Sequence, residues 1–533
     1  MDYSADRVRM VKPMTVETGV FAIVTLIYLI IVLVLGYFGY KKTAGSEDYM
    51  LAGRKTHPVI LALSYGATFI STSAIVGFGG VSAQLGMGLV WLTVFCIGVG
   101  VLIAFVVFGR PTRRRGQELG AFTFPDLFGK CFKSTFMQRA CGVIIVIAMP
   151  LYTAAILIGG ARFLEATLAM PYDLALLAFA IVVAVYVIFG GLIAVMYTDA
   201  FQGAIMFFGM AILLILTYTL LGGVIEANTA LDNLSSMVPA ALAAGGMTGW
   251  ASMPEFLSPI WLTMITTMVL GVGIGVLAQP QLAVRFMTVR DDKSIRRAIM
   301  VGGPFILMMT GVAFTIGPLT NVYFMQQSGQ LALDVAGGNV DSVIPLFINA
   351  AMPDYFVVIF MLALLAAAMS TLSSLFHTMG TAIGYDLFSR HTTIHPSLRG
   401  MQAGTIIMII VSTIVAYILP GSIIARATVM FMGLCAAAFI PAFVYALYSK
   451  KPWTNAAIVS LFSGTIVWFL WTAFVHVKES SVLGLSQALF GVNAVLPMPW
   501  QVVDPIVIAL PISAIVLGVL LLIKRYTAVS TGN

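Results

Sequence analysis

The sequence predicts an all-α integral membrane protein with about thirteen transmembrane helices. Of its 533 residues, 60% are hydrophobic and only 9% are charged, whereas a typical soluble protein is about 25% charged. The mean hydropathy of +1.02 leaves too little polar surface to cover a water-soluble core. The apolar residues form continuous runs without strand-like alternation, which predicts helices rather than a barrel. This composition excludes a soluble enzyme, a disordered chain and a nucleic-acid-binding protein.

Thirteen apolar runs are long enough to cross a bilayer, which takes about 20 helical residues. The first run is too long for a signal peptide and has no small-residue cleavage site, so we expect a membrane anchor. The four cysteines lack metal-ligand spacing and predict neither a disulfide framework nor a zinc site. The approximate limits of the runs are 18–40, 58–83, 86–109, 136–168, 172–190, 192–223, 257–284, 297–326, 353–386, 400–419, 421–448, 453–476 and 503–524.

The basic residues predict the orientation of the chain in the membrane. The loops after the first, third, seventh, ninth and eleventh runs, with the C-terminal tail, hold 22 of the 28 lysines and arginines, among them Arg285 and Arg390. Segments 224–256 and 327–352 hold none. Because cytoplasmic loops retain positive charge, we expect a multi-pass protein of the cell (inner) membrane, with the N-terminus outside and the C-terminus cytoplasmic. Three basic residues oppose this topology, since they would lie outside: Arg7, Arg9 and Lys12.

Two of the predicted spans, 58–83 and 257–284, are interrupted by glycine, and the second also by proline. They lie five spans apart. Interrupted helices at matching positions in two halves are typical of inverted-repeat secondary transporters, because unwound backbone presents carbonyls to a cation and amides to an anion. Glycine and proline also serve helix packing in membranes, and this alternative stays open.

The ninth span carries a candidate cation site. Ala367, Ser370 and Thr371 have helical i, i+3, i+4 spacing and share one face. A carbonyl and two hydroxyls on one face suit a hard monovalent cation, which prefers oxygen ligands. The same hydroxyls could instead bond to the preceding turn of their own helix.

Charged residues within the spans are few. Asp199 lies in the sixth span and is a functional candidate, because a carboxylate is costly in lipid. A structural ion pair or a position near the interface is the alternative. Arg162 and Glu165, three residues apart on the fourth span, can pair near its outer end. Paired carboxylates, a metal cluster and a nucleophile–base arrangement do not stand out in the spans, so we do not expect an enzyme.

Several segments resemble the sodium/solute symporters, whose members transport proline, pantothenate, monocarboxylates, sugars or sialic acid. The resemblance implies a leucine-transporter-like fold in one transport domain, with an extra N-terminal helix (18–40), a 5+5 inverted repeat (58–223 and 257–448) and two C-terminal helices (453–524). It implies a small organic solute, a sodium ion and the lipid bilayer as partners, with Na+ as the co-transported ion and no organic cofactor. The segments are SEDYMLAGR (46–54), TFPDLF (123–128), IGGARFLE (158–165), FGGLIAVMYTDAFQG (189–203), QPQLAVRFM (279–287) and AAAMSTLSS (366–374).

The resemblance also implies site residues. The family's second sodium site uses carbonyls of the first core helix and a carbonyl with two hydroxyls of the eighth. The matching positions here are Ala67, Ile70, Ala367, Ser370 and Thr371. A functional aspartate of the fifth core helix is matched by Asp199, and the family's GAR motif by Gly160, Ala161 and Arg162.

The substrate positions differ from those of two branches of the family. Phe69 stands where proline transporters have an aspartate, and Val272 and Val276 stand where they have a tryptophan and a tyrosine. Sugar members carry amide and acidic side chains where this chain has Phe69, Ser73 and Ala74. We therefore expect a largely apolar pocket. Its predicted walls are Phe69, Tyr152, Val272 and Val276, and its predicted polar contacts are Thr68, Thr72, Ser73 and Gln279.

An apolar pocket beside a sodium ion predicts sodium-coupled import of a small carboxylate, a monocarboxylate or a pantothenate-like acid, by alternating access. Symport of proline or another amino acid remains an alternative. So does a solute sensor or channel without coupled transport. The sequence indicates no oligomeric state.

Overall fold

The computed structural model describes residues 18–168, 170–388, 397–419 and 424–530, and all regular secondary structure within them is helical. Four basic residues that enter the topology prediction lie outside the described residues: Arg7, Arg9, Lys12 and Arg390. The longer helices, in chain order, are α1 (Thr18–Lys42), α2 (Pro58–Phe69), α3 (Ser73–Leu85), α4 (Met87–Glu118), α5 (Thr135–Leu168), α6 (Tyr172–Leu220), α7 (Pro259–Ala278), α8 (Pro280–Phe286), α9 (Asp292–Ser328), α10 (Val340–Ala351), α11 (Asp354–Leu387), α12 (Leu398–Ile418), α13 (Ile424–Tyr448), α14 (Thr454–Phe474) and α15 (Pro505–Ser530).

Short helices connect these elements at the two ends of the bundle. They are Ser46–Leu51, Ala52–Arg54, Phe124–Phe132, Val224–Asn233, Leu234–Met237, Ala240–Ala244, Ala332–Val335, Val477–Leu483, Leu485–Phe490 and Trp500–Val502. The most buried of the long helices are α11 and α13, each with 89% of its apolar window inside the protein. These two helices therefore form the centre of the bundle.

Within the described residues, eleven helices are long and apolar enough to cross a membrane, and twelve if the bent pair α2 and α3 is one span. The longest helix, α6, has 49 residues and contains a reversal at Gly191, whose φ of 58° and ψ of −157° are not helical. Both halves of α6 contact the same part of α11: the Tyr186 hydroxyl donates to the carbonyl of Met369 (3.3 Å), and Ser373 donates to Asp199 (3.1 Å). Counting the two halves of α6 separately accounts for all thirteen predicted runs.

The reversal in α6 requires glycine. A positive φ of this kind is unfavourable for side chains with a Cβ. A Cβ at Gly191 would also lie 2.5 Å from the ring of Tyr49. The chain can therefore turn back at Gly191 without a loop, and α6 contains two spans, one on each side of this glycine.

The basic loops meet at one end of the bundle. Arg54, after α1, donates to the carbonyl of Ala121, after α4, at 2.7 Å. Arg113, at the end of α4, pairs with Asp292, at the start of α9, at 2.7 Å. The loops after the first, third and seventh predicted spans thus share one face, as the basic residues predicted. Which side of the membrane this face occupies stays a prediction.

Candidate functional site

The first interrupted span breaks beside the centre of the bundle. Helix α2 ends at Phe69, and Ile70 leaves helical geometry with a φ of −88° and a ψ of 81°. The axes of α2 and α3 differ by 50°. Because a helix end leaves its last carbonyls without intrahelical partners, the carbonyls of the last turn of α2 are free to accept from other groups.

Hydroxyl groups of α11 occupy this break. Ser370 Oγ donates to the carbonyl of Ala67 at 3.0 Å and to that of Ala367 at 3.1 Å. Thr371 Oγ1 donates to the carbonyl of Thr68 at 3.2 Å. We call Ser370, Thr371 and the carbonyls of Ala67, Thr68 and Ala367 the hydroxyl–carbonyl cluster; each of these residues is at most 1% exposed. Ile70, the remaining predicted ligand, lies at the break itself and lines the central cavity.

The cluster contains only neutral oxygen atoms. Ser370 does bond to the preceding turn of its own helix, as the alternative from the sequence allows, but it also reaches α2, and Thr371 bonds across to α2. A hydroxyl oxygen keeps two lone pairs and a carbonyl oxygen two. A small monovalent cation could therefore replace the interhelical hydrogen bonds and hold α2 and α11 through the same oxygens.

A buried ion pair lies next to this cluster. Arg285 Nη2 and Asp199 Oδ2 are 2.8 Å apart, with side-chain exposures of 1% and 0%. Asp199 also accepts hydrogen bonds from Ser64 (3.0 Å), Ser373 (3.1 Å) and Ser374 (3.3 Å). The carboxylate is thus fully paired, which is the geometry that a buried charge requires.

The guanidinium group of Arg285 connects four helices. It donates to Ser64 on α2 (3.0 Å), to Asp199 on α6 (2.8 Å) and to Ser374 on α11 (2.5 Å). It also donates to the carbonyl of Gln281 on its own helix, α8. One side chain therefore links both interrupted spans to the helix that carries the hydroxyls.

The burial of Arg285 corrects the sequence prediction, which ended the seventh span at 284 and placed this arginine in a cytoplasmic loop. Gln279 is extended, with a φ of −70° and a ψ of 121°, and Pro280 then starts the new helix α8. Proline is favourable at the first helical position because it has no amide hydrogen to satisfy. All seven residues of α8 are buried, so the span continues through Arg285.

Four polar residues of this network were missed from the sequence: Ser64, Arg285, Ser373 and Ser374. One signal was available. Arg285 is flanked on both sides by apolar residues, in LAVRFM, unlike the arginines of the basic loops. A buried carboxylate needs a positive partner, and this arginine was the candidate.

The predicted substrate residues lie in different parts of the structure. Phe69, Ser73 and Val272 line a central cavity of about 20 Å³, large enough for little more than one water molecule. Ser73 Oγ accepts a hydrogen bond from Thr428 Oγ1 at 2.7 Å. The remaining lining residues are Ile70, Ser71, Ala74, Phe78, Leu92, Cys96, Thr310, Phe314, Thr428 and Met432. The walls are mainly apolar, and helices must move apart before a solute can enter.

Two other predicted residues adjoin this cavity. The Tyr152 hydroxyl donates to Ser71 Oγ at 3.4 Å, and its ring stacks on that of Phe431 at 5.5 Å between centroids. Val276 lies near Phe69, since both side chains approach the same face of Gly100.

Three predicted substrate residues lie elsewhere. Thr68 is part of the ion-pair network, where its hydroxyl accepts from Arg285 at 2.7 Å and lies 3.2 Å from Asp199. Thr72 lines a different cavity, beside α10. Gln279 is buried at the break before α8, where its side-chain oxygen accepts from Gln281. The tertiary arrangement of the broken helices, which spacing does not reveal, causes this separation.

The predicted pairing on the fourth span is confirmed. Arg162 Nη1 and Glu165 Oε2 are 2.7 Å apart on α5. The guanidinium group also lies over the ring of Tyr172, 4.1 Å from its centroid. The GAR motif thus presents a compensated charge at the end of α5.

Residues 49–464 match the model of the sodium:solute symporter family. The osmoregulated proline transporter OpuE of Bacillus subtilis (strain 168) is 27% identical over 463 residues, which cover 86% of this chain and 89% of that protein. The sodium/pantothenate symporter of Haemophilus influenzae is 28% identical over 483 residues, covering 87% of this chain and 94% of that protein.

Solved structures share the architecture. A Na+-coupled sialic acid symporter, in a substrate-bound outward-open state, aligns with a TM-score of 0.72 at 16% identity over 94% of this chain and 98% of that chain. Mhp1, a nucleobase-cation-symport-1 family transporter in a closed conformation, aligns with a TM-score of 0.52 at 12% identity over 90% and 95% of the two chains. The predicted leucine-transporter-like fold is confirmed by these neighbours. With more than half of its length matched to the family model, the chain belongs to the sodium:solute symporter family.

Proposed function

We propose that this symporter imports a small organic carboxylate together with sodium by alternating access. The hydroxyl–carbonyl cluster carries the proposal, because it joins the broken end of α2 to α11 through neutral oxygens alone. In this proposal the sodium ligands are the carbonyls of Ala67, Ile70 and Ala367 and the hydroxyls of Ser370 and Thr371.

We assign the repeats and the topology on the same basis. Segments 58–223 and 257–448 are the two inverted repeats, preceded by helix 18–40 and followed by the two helices in 453–524. The face with the basic loops is cytoplasmic and the N-terminus lies outside, in the cell membrane. The clustering of Arg54, Arg113 and their partners at one end supports this orientation.

Sodium acts in this mechanism by fixing the break. A cation bound between α2 and α11 holds the unwound segment beside the central cavity, so that the solute meets a preformed site. Release of the cation to the cytoplasmic side frees α2 from α11 and loosens the inner gate. Because the two ligands share one conformational equilibrium, each must raise the affinity for the other by the same factor.

The pair of Asp199 and Arg285 transmits this change to the second interrupted span. Its hydrogen bonds reach Ser64 on α2 and Ser374 on α11, one turn from Ser370. A movement of α2 relative to α11 therefore changes the bonds of an arginine fixed on α8. We propose a coupling role for Asp199 on this ground, without direct contact with the solute.

The lining of the central cavity favours a carboxylate. None of its lining residues carries a charged side chain. An ammonium group would lack a counter-charge there, and burial of an unpaired ammonium is costly. A carboxylate can be balanced by sodium in the adjacent cluster and by amides of the broken helix. The similarity to both a pantothenate and a proline transporter keeps proline as the second candidate.

The test is uptake by the purified protein in proteoliposomes under an inward sodium gradient. Labelled acetate, pyruvate, pantothenate, proline and alanine are compared, and an ionophore then collapses the gradient. We expect concentrative uptake of at least one simple acid, which stops when the gradient collapses. Uptake of amino acids alone would show that the cavity finds a cation partner elsewhere. Equilibration without accumulation would favour a channel over a symporter.

A further inference from the structure

A cavity of about 170 Å³ lies between α1 and α6, at the end of the bundle where the basic loops meet. We call it the α1–α6 cavity. Three parts of the chain form its wall: the end of α1, the segment 52–56 with the first turn of α2, and the second half of α6. The lining residues are Lys42, Ala52, Lys55, Thr56, Ile60, Ile193, Met196 and Tyr197. The wall therefore carries two positive charges and no carboxylate.

Two contacts bring these parts together on consecutive residues of α6. Lys42 Nζ donates to the Tyr197 hydroxyl at 3.5 Å and lies 4.9 Å from the centroid of its ring. Thr56 Oγ1 donates to Met196 Sδ at 3.7 Å, and Lys55 directly precedes Thr56. Because the Cα atoms of consecutive residues are about 3.8 Å apart, Lys42 and the segment that carries Lys55 approach the same wall of the cavity.

The charges of the two lysines are not compensated within the protein. Neither Lys42 nor Lys55 forms an ion pair with a residue that the structure describes. Arg54, next to Lys55, does pair with Glu47, at 3.0 Å. The Thr56 hydroxyl donates only to a thioether, which is a weak acceptor. Two ammonium groups and a hydroxyl on one cavity therefore match an anion that brings several oxygen acceptors.

Aromatic side chains place the cavity at the level of the membrane surface. Tyr37 and Tyr40 on α1 and Phe189 on α6 are 53%, 52% and 54% exposed. The rings of Tyr40 and Phe189 contact each other, with 6.5 Å between their centroids. Exposed tyrosines of transmembrane helices are enriched where the lipid headgroups lie. Since Lys42 follows Tyr40 by two residues, the cavity is within reach of a headgroup.

We propose that the α1–α6 cavity binds the phosphate group of an anionic phospholipid from the adjacent leaflet. The ammonium groups of Lys42 and Lys55 balance its charge, and the Thr56 hydroxyl donates to a phosphate oxygen. Ile60 and Ile193 provide the apolar part of the wall for the glycerol backbone. Pockets that enclose a whole drug-sized ligand have about 300–1,000 Å³, so this smaller cavity takes the headgroup and leaves the acyl chains in the bilayer. Basic pockets between transmembrane helices suit such headgroups.

A bound headgroup links the start of α2 to α1 and α6. Thr56 lies two residues before Pro58, where α2 begins, and its amide donates to the carbonyl of Thr288, after α8, at 3.1 Å. Segment 52–56 therefore connects the basic ends of both interrupted spans. A lipid held between this segment, α1 and α6 stabilises the arrangement of these ends in this structure. Lipid binding at this cavity goes beyond the proposed function and is independent of the solute.

Amine labelling of the purified, delipidated full-length protein in detergent tests the proposal, without sodium or solute. Peptide mass spectrometry gives the labelling rate of each lysine. Phosphatidylglycerol is titrated into the micelles and compared with phosphatidylcholine of the same acyl chains, whose extra ammonium group meets the two lysines. At ten times its Kd, phosphatidylglycerol should slow the labelling of Lys42 and Lys55 about tenfold. Lys450 and Lys451, exposed at the same end of the bundle, should keep their rates.

Variants measure the contribution of each lysine, with bound lipid counted by native mass spectrometry. Lys42→Gln and Lys55→Gln should each lower the affinity for phosphatidylglycerol about fivefold, and together about 25-fold, as expected for lysines near an anionic lipid surface. Lys42→Arg/Lys55→Arg keeps both charges and should retain binding. Lys450→Gln/Lys451→Gln removes the same charge outside the cavity, so it is the matched control and should also retain binding.

Three results would overturn the proposal. Equal protection by phosphatidylcholine would show that the site does not select an anionic lipid. Equal losses of affinity in Lys42→Gln/Lys55→Gln and in the control would show a general effect of surface charge. Protection by glycerophosphate, which has no acyl chains, at the same concentration as phosphatidylglycerol would assign the cavity to a soluble phosphate. Failure of the proposed function would change none of these results, because sodium and solute are absent.

Discussion

Two polar clusters lie one helical turn apart on α11 and differ in charge. The first joins Ser370 and Thr371 to the carbonyls of α2 and contains no ionised group. The second joins Ser373 and Ser374 to the buried pair of Asp199 and Arg285. Both connect α11 to α2, yet only the second reaches α8.

This difference in charge determines which cluster can exchange a ligand. Neutral hydroxyls can donate to a carbonyl in one state and ligate a cation in another without leaving a charge unpaired. An ion pair buried this deeply must keep its partner, because an uncompensated buried charge is strongly destabilising. We therefore assign cation binding to the first cluster, and to the second the proposed coupling role, in which the ion pair stays intact and no ligand is exchanged.

We expect the greatest loss of stability when the ion pair of Asp199 and Arg285 is separated. Asp199→Asn leaves a buried guanidinium that cannot lose its proton, so we expect the free energy of unfolding to fall by about 3–5 kcal/mol. Arg285→Gln should cost less, because the remaining carboxyl can be neutralised by a proton. The double variant should be more stable than Asp199→Asn alone. Thermal and denaturant unfolding of the purified variants in detergent measure these differences.

Arg290→Gln provides the control, since Arg290 is exposed five residues after Arg285. Its stability should match that of the wild type. If the losses of unfolding free energy in the two single variants add up to the loss in the double variant, Asp199 and Arg285 do not stabilise the protein as a pair. The proposed difference between the two clusters would then be wrong.

The next effect concerns sodium affinity at the neutral cluster. Ser370→Ala or Thr371→Val removes one ligand of a site that has few, so we expect sodium affinity to fall about tenfold or more, since a hydrogen bond to a charged group is worth about 1.5–3 kcal/mol. Solute affinity should fall with it at fixed sodium and recover in part at high sodium. Isotope binding and the sodium dependence of uptake measure both quantities.

Ser412→Ala is the matched control, because the buried hydroxyl of Ser412 on α12 has no hydrogen-bond partner among the residues that the structure describes. It should leave the sodium dependence unchanged. If both cluster variants keep the sodium dependence of the wild type, sodium does not bind at this cluster. Its hydroxyls would then serve helix packing only.

A smaller effect is expected at the wall of the central cavity. Phe69→Asp places a carboxylate beside the solute position, so uptake of a simple acid should weaken through like-charge repulsion. Phe69→Leu, which keeps the wall apolar, is the control and should retain the preference. Stronger uptake of acids by Phe69→Asp than by Phe69→Leu would contradict our interpretation of the cavity.

The smallest effect is expected for an ion pair in contact with water. Asp292 pairs with Arg113 at 2.7 Å and with Arg114 at 2.5 Å, and its side chain is 22% exposed. Because such pairs contribute about 0–1 kcal/mol, Asp292→Asn should change stability far less than Asp199→Asn. Equal losses would show that burial does not distinguish the two pairs.

Much of the fold could be predicted from composition and periodicity. Long apolar runs identified the spans, because lipid forces each segment to satisfy its own backbone. The i, i+3, i+4 spacing of Ala367, Ser370 and Thr371 identified the helix face that the structure turns toward the break in α2. Local pattern was sufficient for these features.

The ion-pair network could not be derived in the same way. Asp199 and Arg285 are 86 residues apart, and their contact depends on how two broken helices pack. Gln279 and Pro280 also interrupt the apolar run five residues before Arg285, so the sequence prediction ended the span at 284 and assigned this arginine to the following loop. Thr68 and Thr72 lie four residues apart but face an ion pair and a cavity, because the helix stops between them. Periodicity does not hold across such a break.

Measurements of reciprocal binding determine whether sodium occupies the hydroxyl–carbonyl cluster. In purified wild-type protein, the factor by which saturating sodium raises solute affinity should equal the factor by which saturating solute raises sodium affinity. Both factors should fall to about one in Ser370→Ala/Thr371→Val, which lacks the hydroxyl ligands. Solute affinity that is independent of sodium, or full coupling in the double variant, would contradict the assignment of sodium to this cluster.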